Sequence, residues 1–174
     1  MNFLGPLLIT DPASWVENWH EQNNLPELRQ GQVWRAITPI FIHFGLAHLL
    51  FNMLWLLDLG TMIERRQSSR LLLALVLVIG AASNLAQYLV GGPFFGGMSG
   101  VVYGLIGYIW VRGKFDVTCG LFLHRTTVMM AMIWFFLCLA DVIPHVANAA
   151  HAAGLGMGMV WGFVSARGWK RMPG

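Results

Sequence analysis

Two residues of this chain have the right types and neighbours for covalent chemistry. Ser99 sits in Gly96-Gly97-Met98-Ser99-Gly100, and His151 in Ala147-Asn148-Ala149-Ala150-His151-Ala152-Ala153-Gly154. A serine hydroxyl is a weak nucleophile until an adjacent base takes its proton, so the pair matters if the fold brings the hydroxyl to the ring. Ala150, Gly154, Gly158 and Gly162 form a stripe of small residues, and Gly100 with Gly104 forms another. Such stripes let membrane helices approach closely. Ser99 and His151 each lie one residue beside a stripe, so a close pair of helices would bring them within hydrogen-bond reach.

The other strongly polar side chains in apolar surroundings are His43, His48, Asn52, Asn84, Gln87, Tyr103, Asp141 and Asn148. His48 and Asn52 are four residues apart, as are Ser99 and Tyr103, so each pair projects from one helix face. Tyr103 then stands one turn below Ser99, where it can pack on the imidazole. Polar groups are costly in lipid, and those present usually face a protein interior or a water-filled cavity.

The chain must supply helices that hold these residues in a membrane. Hydrophobic residues make up 56% of it and charged residues only 11%, so its surface cannot face water on every side. The net charge of +3 is too small and too scattered to suggest a nucleic-acid partner. Cys119 and Cys138 are too few for a disulfide framework, and one lies in a basic loop while the other lies in an apolar run. Residues 1–10 lack a basic start and a long apolar stretch, which argues against a signal peptide.

A bilayer core of about 30 Å needs about 20 mostly apolar residues per helix. Five runs come near that: residues 37–60, 71–90, 99–111, 126–143 and 149–166, the third conspicuously short. Basic residues collect in alternate connections, at Arg65, Arg66 and Arg70, at Arg112, Lys114 and Arg125, and at Arg167, Lys170 and Arg171. The positive-inside rule then puts the N-terminal stretch and the loops 91–98 and 144–148 outside and the C-terminus in the cytoplasm. Residues 11–36 differ from the rest: Trp15, Trp19 and Trp34 alternate with polar residues, and Pro12 and Pro26 interrupt any long helix. They read as a loop at the membrane interface, with indoles at headgroup level.

Depth can be counted from the inner charges at 1.5 Å per residue. Ser99 then stands about 20 Å above Arg112, His151 about 24 Å above Arg167, His48 about 24 Å above Glu64, and Asn52 about 18 Å on the same scale. All four share one layer, roughly 6 to 12 Å below the outer boundary. Asp141, about 24 Å above Arg125, would share it too. A metal site still ranks low, because no two histidines share a helix face at ligand spacing. His43, His124 and His145 lie near loop ends, where hydration suffices. A serine beside glycine is more often a packing residue than a nucleophile. The water-soluble hydrolase elbow is absent, since Val101 occupies the place of its last glycine.

These residues resemble the motifs of a known family. Gly97-Met98-Ser99-Gly100 is similar to the GxSG motif of the rhomboid intramembrane proteases, and residues 147–154 to their histidine segment. His48-Leu49-Leu50-Phe51-Asn52 resembles their HxxxN motif, and Trp34-Arg35 their WR pair. The four motifs follow the family's order over residues 34–166, nearest to its bacterial GlpG type. The resemblance implies a serine endopeptidase with Ser99 as nucleophile and His151 as general base. It also implies an oxyanion site made of His48, Asn52 and the Ser99 backbone N–H, supported by Tyr103, Gly97 and Asn148. Loss of one such donor typically costs about 10² to 10³ in rate. Phe51 and Trp134 would flank a lateral gate at the fourth run.

The expected fold is an all-α polytopic membrane bundle of rhomboid type, with five visible spans where such members have six. A form with a further upstream helix would then be more stable than this one. Residues 1–36 would be an outer interfacial region, 37–166 the membrane core and 167–174 a cytoplasmic tail. The expected partners are transmembrane protein substrates and the lipid bilayer, in a bacterial inner membrane, with no cofactor, metal or nucleic acid. Two departures stand out: the turn before Asn148 is short and contains Pro144, and Met98 replaces the more usual Leu at similar volume. The competing readings are a rhomboid-like pseudoprotease that binds membrane helices without cutting them, and a small transporter using the same polar layer.

Overall fold

The computed structural model describes residues 5–17, 25–140, 142 and 146–169. Two short helices, α1 (Pro12–Glu17) and α2 (Pro26–Arg29), precede five long ones: α3 (Leu46–Arg66), α4 (Ser69–Gly91), α5 (Ser99–Phe115), α6 (Arg125–Leu139) and α7 (Asn148–Trp169). The predicted all-helical membrane bundle is the fold observed. Among the described residues α3 and α4 have both the length and the apolar composition to cross a membrane. The other three carry glycine and polar residues or are shorter, with 17 residues in α5 and 15 in α6.

The first apolar run is not one helix. Residues 37–60 read as continuous by hydropathy, yet a 3-10 turn covers Thr38–Phe41, Ile42 is extended, and α3 begins only at Leu46. Pro39 has no N–H for a helical ladder and favours the first turn it occupies, and Gly45 precedes the new helix. His43 therefore stands on an irregular leg rather than on α3. At the other end of the molecule Ser68 caps α4 by accepting a bond from the Leu71 N–H at 3.2 Å.

The centre of the bundle is α5, whose residues are nearly all buried from Gly100 to Arg112. Its partner is α7, and their backbones meet through glycine. A Cβ on Gly154 would overlap the carbonyl of Gly100, one on Gly158 the carbonyl of Gly104, and one on Gly162 would stand 2.7 Å from the Tyr108 carbonyl. The predicted small-residue stripes thus face each other. Side chains of α3 and α4, including Leu59, Ile63, Leu75 and Ile79, complete the core around α5. Arg112, counted in the sequence as an inner-side charge, is itself buried and pairs with Asp116 at 2.9 Å.

The N-terminal stretch is a folded collar rather than an open loop. Pro12 and Pro26 each start a short helix, as expected where the missing N–H is not needed. Arg35 donates from Nη1 to the carbonyls of Gly5 at 2.8 Å and Leu8 at 2.9 Å. Glu27 accepts from the Thr10 hydroxyl and, at 2.9 Å, from the Asp11 N–H. Ile9 is fully buried with Tyr88 and Phe95. Trp15 is half-buried, packs onto Gly92 and meets the Phe94 ring edge-on at 6.2 Å. Trp34 does stay exposed, and Trp19 lies outside the described residues.

Candidate active site

Ser99 is the first residue of α5, and His151 lies in the first turn of α7. The seam between these helices brings them together: His151 Nε2 is 2.8 Å from Ser99 Oγ. The ring is buried, and Ser99 is half-buried. Position on the α7 axis is fixed from α4, where Gln87 Oε1 accepts from the N–H groups of Ala149 at 3.1 Å and Ala150 at 3.2 Å. Those first-turn donors have no partner inside their own helix, and Gln87 supplies one.

The imidazole is held by stacking rather than by a third polar group. Tyr103 lies against it with centroids 4.7 Å apart and planes inclined by 38°. Tyr103 is fixed in turn by its hydroxyl, which donates to the Ala131 carbonyl of α6 at 3.3 Å, and by the edge of Phe135. His151 Nδ1 has no hydrogen-bond partner among the described residues.

The loop before Ser99 is anchored on the irregular leg. Gly97 donates to the Pro39 carbonyl at 3.0 Å, and a Cβ on Gly96 would stand 2.6 Å from Ile42 Cβ. Gly97 has φ of +124°, a conformation that side chains other than glycine rarely adopt. A Cβ there would also stand 2.7 Å from His48 Cε1, 2.9 Å from His48 Nε2 and 3.8 Å from Ser99 Oγ. His48 and Ser99 Oγ therefore both border the space that a side chain on Gly97 would fill. The N–H groups of the first α5 turn, Ser99 included, have no intrahelical acceptor, and the helix end there carries partial positive charge.

The remaining predicted residues are arranged less directly. Asn52 is buried one turn below His48, but its Nδ2 donates to the His48 carbonyl at 2.9 Å, within its own helix. Asn148 donates to the Cys138 carbonyl at 2.9 Å, tying the start of α7 to the end of α6. Phe51 and Trp134 both lie on the outer surface of their helices, 66% and 56% exposed. Asp141, Pro144 and His145 lie outside the described residues. Among the described residues no group of three acidic, thiol or imidazole side chains could hold a metal.

Three contributors carry no role in the sequence reading. Gln87 reads there only as a polar residue in an apolar run. Asn84 donates to the carbonyls of Ala36 at 2.8 Å and Ile37 at 3.3 Å, tying the collar to α4. Ser83 is buried where α4 meets the α5 and α7 glycines. The signal available was their spacing, since Ser83 and Gln87 are i and i+4 on one face of α4.

The family model described as the rhomboid domain matches residues 30–168. Similar curated proteins include the rhomboid protease GlpG of Klebsiella pneumoniae subsp. pneumoniae, 40% identical over 136 residues, which are 78% of this chain and 49% of that protein. The rhomboid protease GlpG of Salmonella paratyphi A is 42% identical over 134 residues, covering 76% of this chain and 49% of that one. The chain spans about half the length of these relatives. A domain match over most of the sequence, together with a helical bundle built around glycine-packed α5 and α7, makes this integral membrane protein a member of the rhomboid family.

Proposed function

We propose that this chain is an intramembrane serine protease that hydrolyses peptide bonds in or near the transmembrane segments of other membrane proteins. The observation that carries the reading is the part-buried contact of 2.8 Å between Ser99 Oγ and His151 Nε2. The relatives' shared name of protease supports it. In this reading His151 takes the Ser99 proton as Oγ attacks the scissile carbonyl, and returns it to the leaving amine when the C–N bond breaks. Water, activated by the same imidazole, then hydrolyses the acyl-serine and frees the second product. Negative charge on the carbonyl oxygen is met by the Ser99 N–H at the α5 terminus and by His48, with Asn52 one turn below. Asn52 releases the His48 carbonyl to do so. Tyr103 keeps the ring in line, Gly97 leaves room for His48, and Asn148 ties α7 to α6.

Entry is lateral, between α3 and α6, past Phe51 and Trp134. The chain lies in a bacterial inner membrane with its C-terminus in the cytoplasm, and residues 37–166 are the catalytic core between an outer region and a short tail. The test is cleavage of a single-span reporter protein by the purified chain in liposomes. Cleavage by the unaltered chain, and none by Ser99→Ala or His151→Ala of unchanged thermal stability, is expected because the two act as a unit. Full turnover by either variant removes the reading. Binding of the reporter without cleavage by the unaltered chain would favour the pseudoprotease instead.

A further inference from the structure

Beside His48 stands an imidazole that the proposed reaction does not use. His43, on the irregular leg before α3, and His48, in the first turn of α3, have ring centroids 5.0 Å apart and planes inclined by 59°. His43 Nδ1 is 3.2 Å from the Phe41 carbonyl oxygen. A carbonyl only accepts, so Nδ1 carries the hydrogen and the neutral ring keeps its lone pair on Nε2. That Nε2 is buried and has no hydrogen-bond partner among the described residues. An unsatisfied buried acceptor costs free energy. A backbone carbonyl fixing the other ring nitrogen is also the arrangement found behind metal-ligating histidines. The separation agrees: two imidazoles bound at about 2.0–2.1 Å to one tetrahedral ion have centroids about 5 Å apart.

We propose that His43 and His48 together bind a divalent transition-metal ion such as Zn²⁺, and that the ion inhibits rather than catalyses. Among the described residues no third ligating side chain joins them, so the remaining coordination positions fall to water and binding is weaker than at a four-ligand structural site. The ion engages the ring that lies against Gly97. It withdraws His48 from the oxyanion. This inhibitory consequence rests on the protease reading; the binding itself does not.

The test is calorimetric titration of the purified full chain in detergent with Zn²⁺ alone, beside His43→Gln and His124→Gln. One ion per chain is expected for the unaltered protein and for His124→Gln, with affinity lower by about tenfold or more in His43→Gln. Equal affinity for the unaltered chain and His43→Gln overturns the site. A second measurement needs no substitution. Cu²⁺ binds such ligands more tightly than Zn²⁺, and its paramagnetic resonance on the unaltered chain should show coupling to two imidazole nitrogens. Coupling to one or none overturns the proposal. Cleavage with and without Zn²⁺ separates the two readings. His43-dependent binding by a chain that never cleaves leaves the site and removes the protease, whereas cleavage by a chain with no such binding does the reverse.

Discussion

Along α5 and α7 two backbones touch through glycine, whereas α6 meets the same bundle through a few side chains. The first pair buries Ser99's helix almost completely and leaves no room for a Cβ at Gly154 or Gly158. In α6 only Ala131 and Cys138 are buried, while Met130, Ile133, Trp134 and Phe136 are exposed. It is attached through the Tyr103 hydroxyl at Ala131, the Asn148 amide at Cys138 and the Tyr103–Phe135 contact. Backbone contact fixes the distance between two helices, because a carbonyl cannot rotate away as a side chain can. The residues whose separation the proposed reaction would require, Ser99 and His151, stand on the glycine seam. The helix with the fewest attachments stands beside them, where the proposed reading has substrate entering.

Substitution in the seam should have the largest effect. Gly154→Leu drives a side chain into the Gly100 carbonyl and the neighbouring Ser83, and is expected to cost about 3 kcal/mol or more in a detergent unfolding titration. Trp134→Ala on the exposed face of α6 should cost about 0.5 kcal/mol or less in the same titration. Similar costs for both would break the contrast between the two regions.

Asn148→Ala sharpens it at a smaller scale. Loss of the bond to the Cys138 carbonyl should cost about 1 kcal/mol and speed amide exchange at the end of α6, with α5 unchanged. Equal acceleration in both helices would mean that α6 is as firmly fixed as the seam.

The smallest effect lies in the collar, outside both regions. Burial alone would raise the Glu27 carboxyl, but the Thr10 hydroxyl, the Asp11 N–H and the Arg35 charge together hold it below the usual carboxylate range. A depressed folded-state pKa contributes stability that is present above the unfolded value and lost as pH falls through the folded one. The unfolding temperature should therefore drop on acidification below about pH 4, and Glu27→Gln should remove that part of the drop. An identical acid profile in the two chains would show that the carboxylate does not hold the collar.

The meeting of Ser99 and His151 was legible because two independent patterns coincide, the common depth and the facing stripes of Gly100, Gly104, Gly154 and Gly158. The ends of α4 and α7 were legible for a simpler reason, since charge and hydropathy change sharply there. The start of α3 was not, because hydropathy does not register what Pro39 and Gly45 do to the backbone of residues 37–45. Gln87 and Asn84 escaped because their partners lie on other elements, and nothing in local sequence says which way α4 turns. Asn52 shows the opposite limit: its spacing from His48 is right, yet the amide in this structure bonds its own helix.

The central claim is that His151 activates Ser99, and covalent labelling tests it most directly. The purified chain is treated with a fluorophosphonate and the modified residue is located by mass spectrometry, beside Ser99→Ala and His151→Ala. The account predicts labelling at Ser99 in the unaltered chain and none in either variant. Labelling of His151→Ala at the same rate, or modification at a different serine, would contradict it.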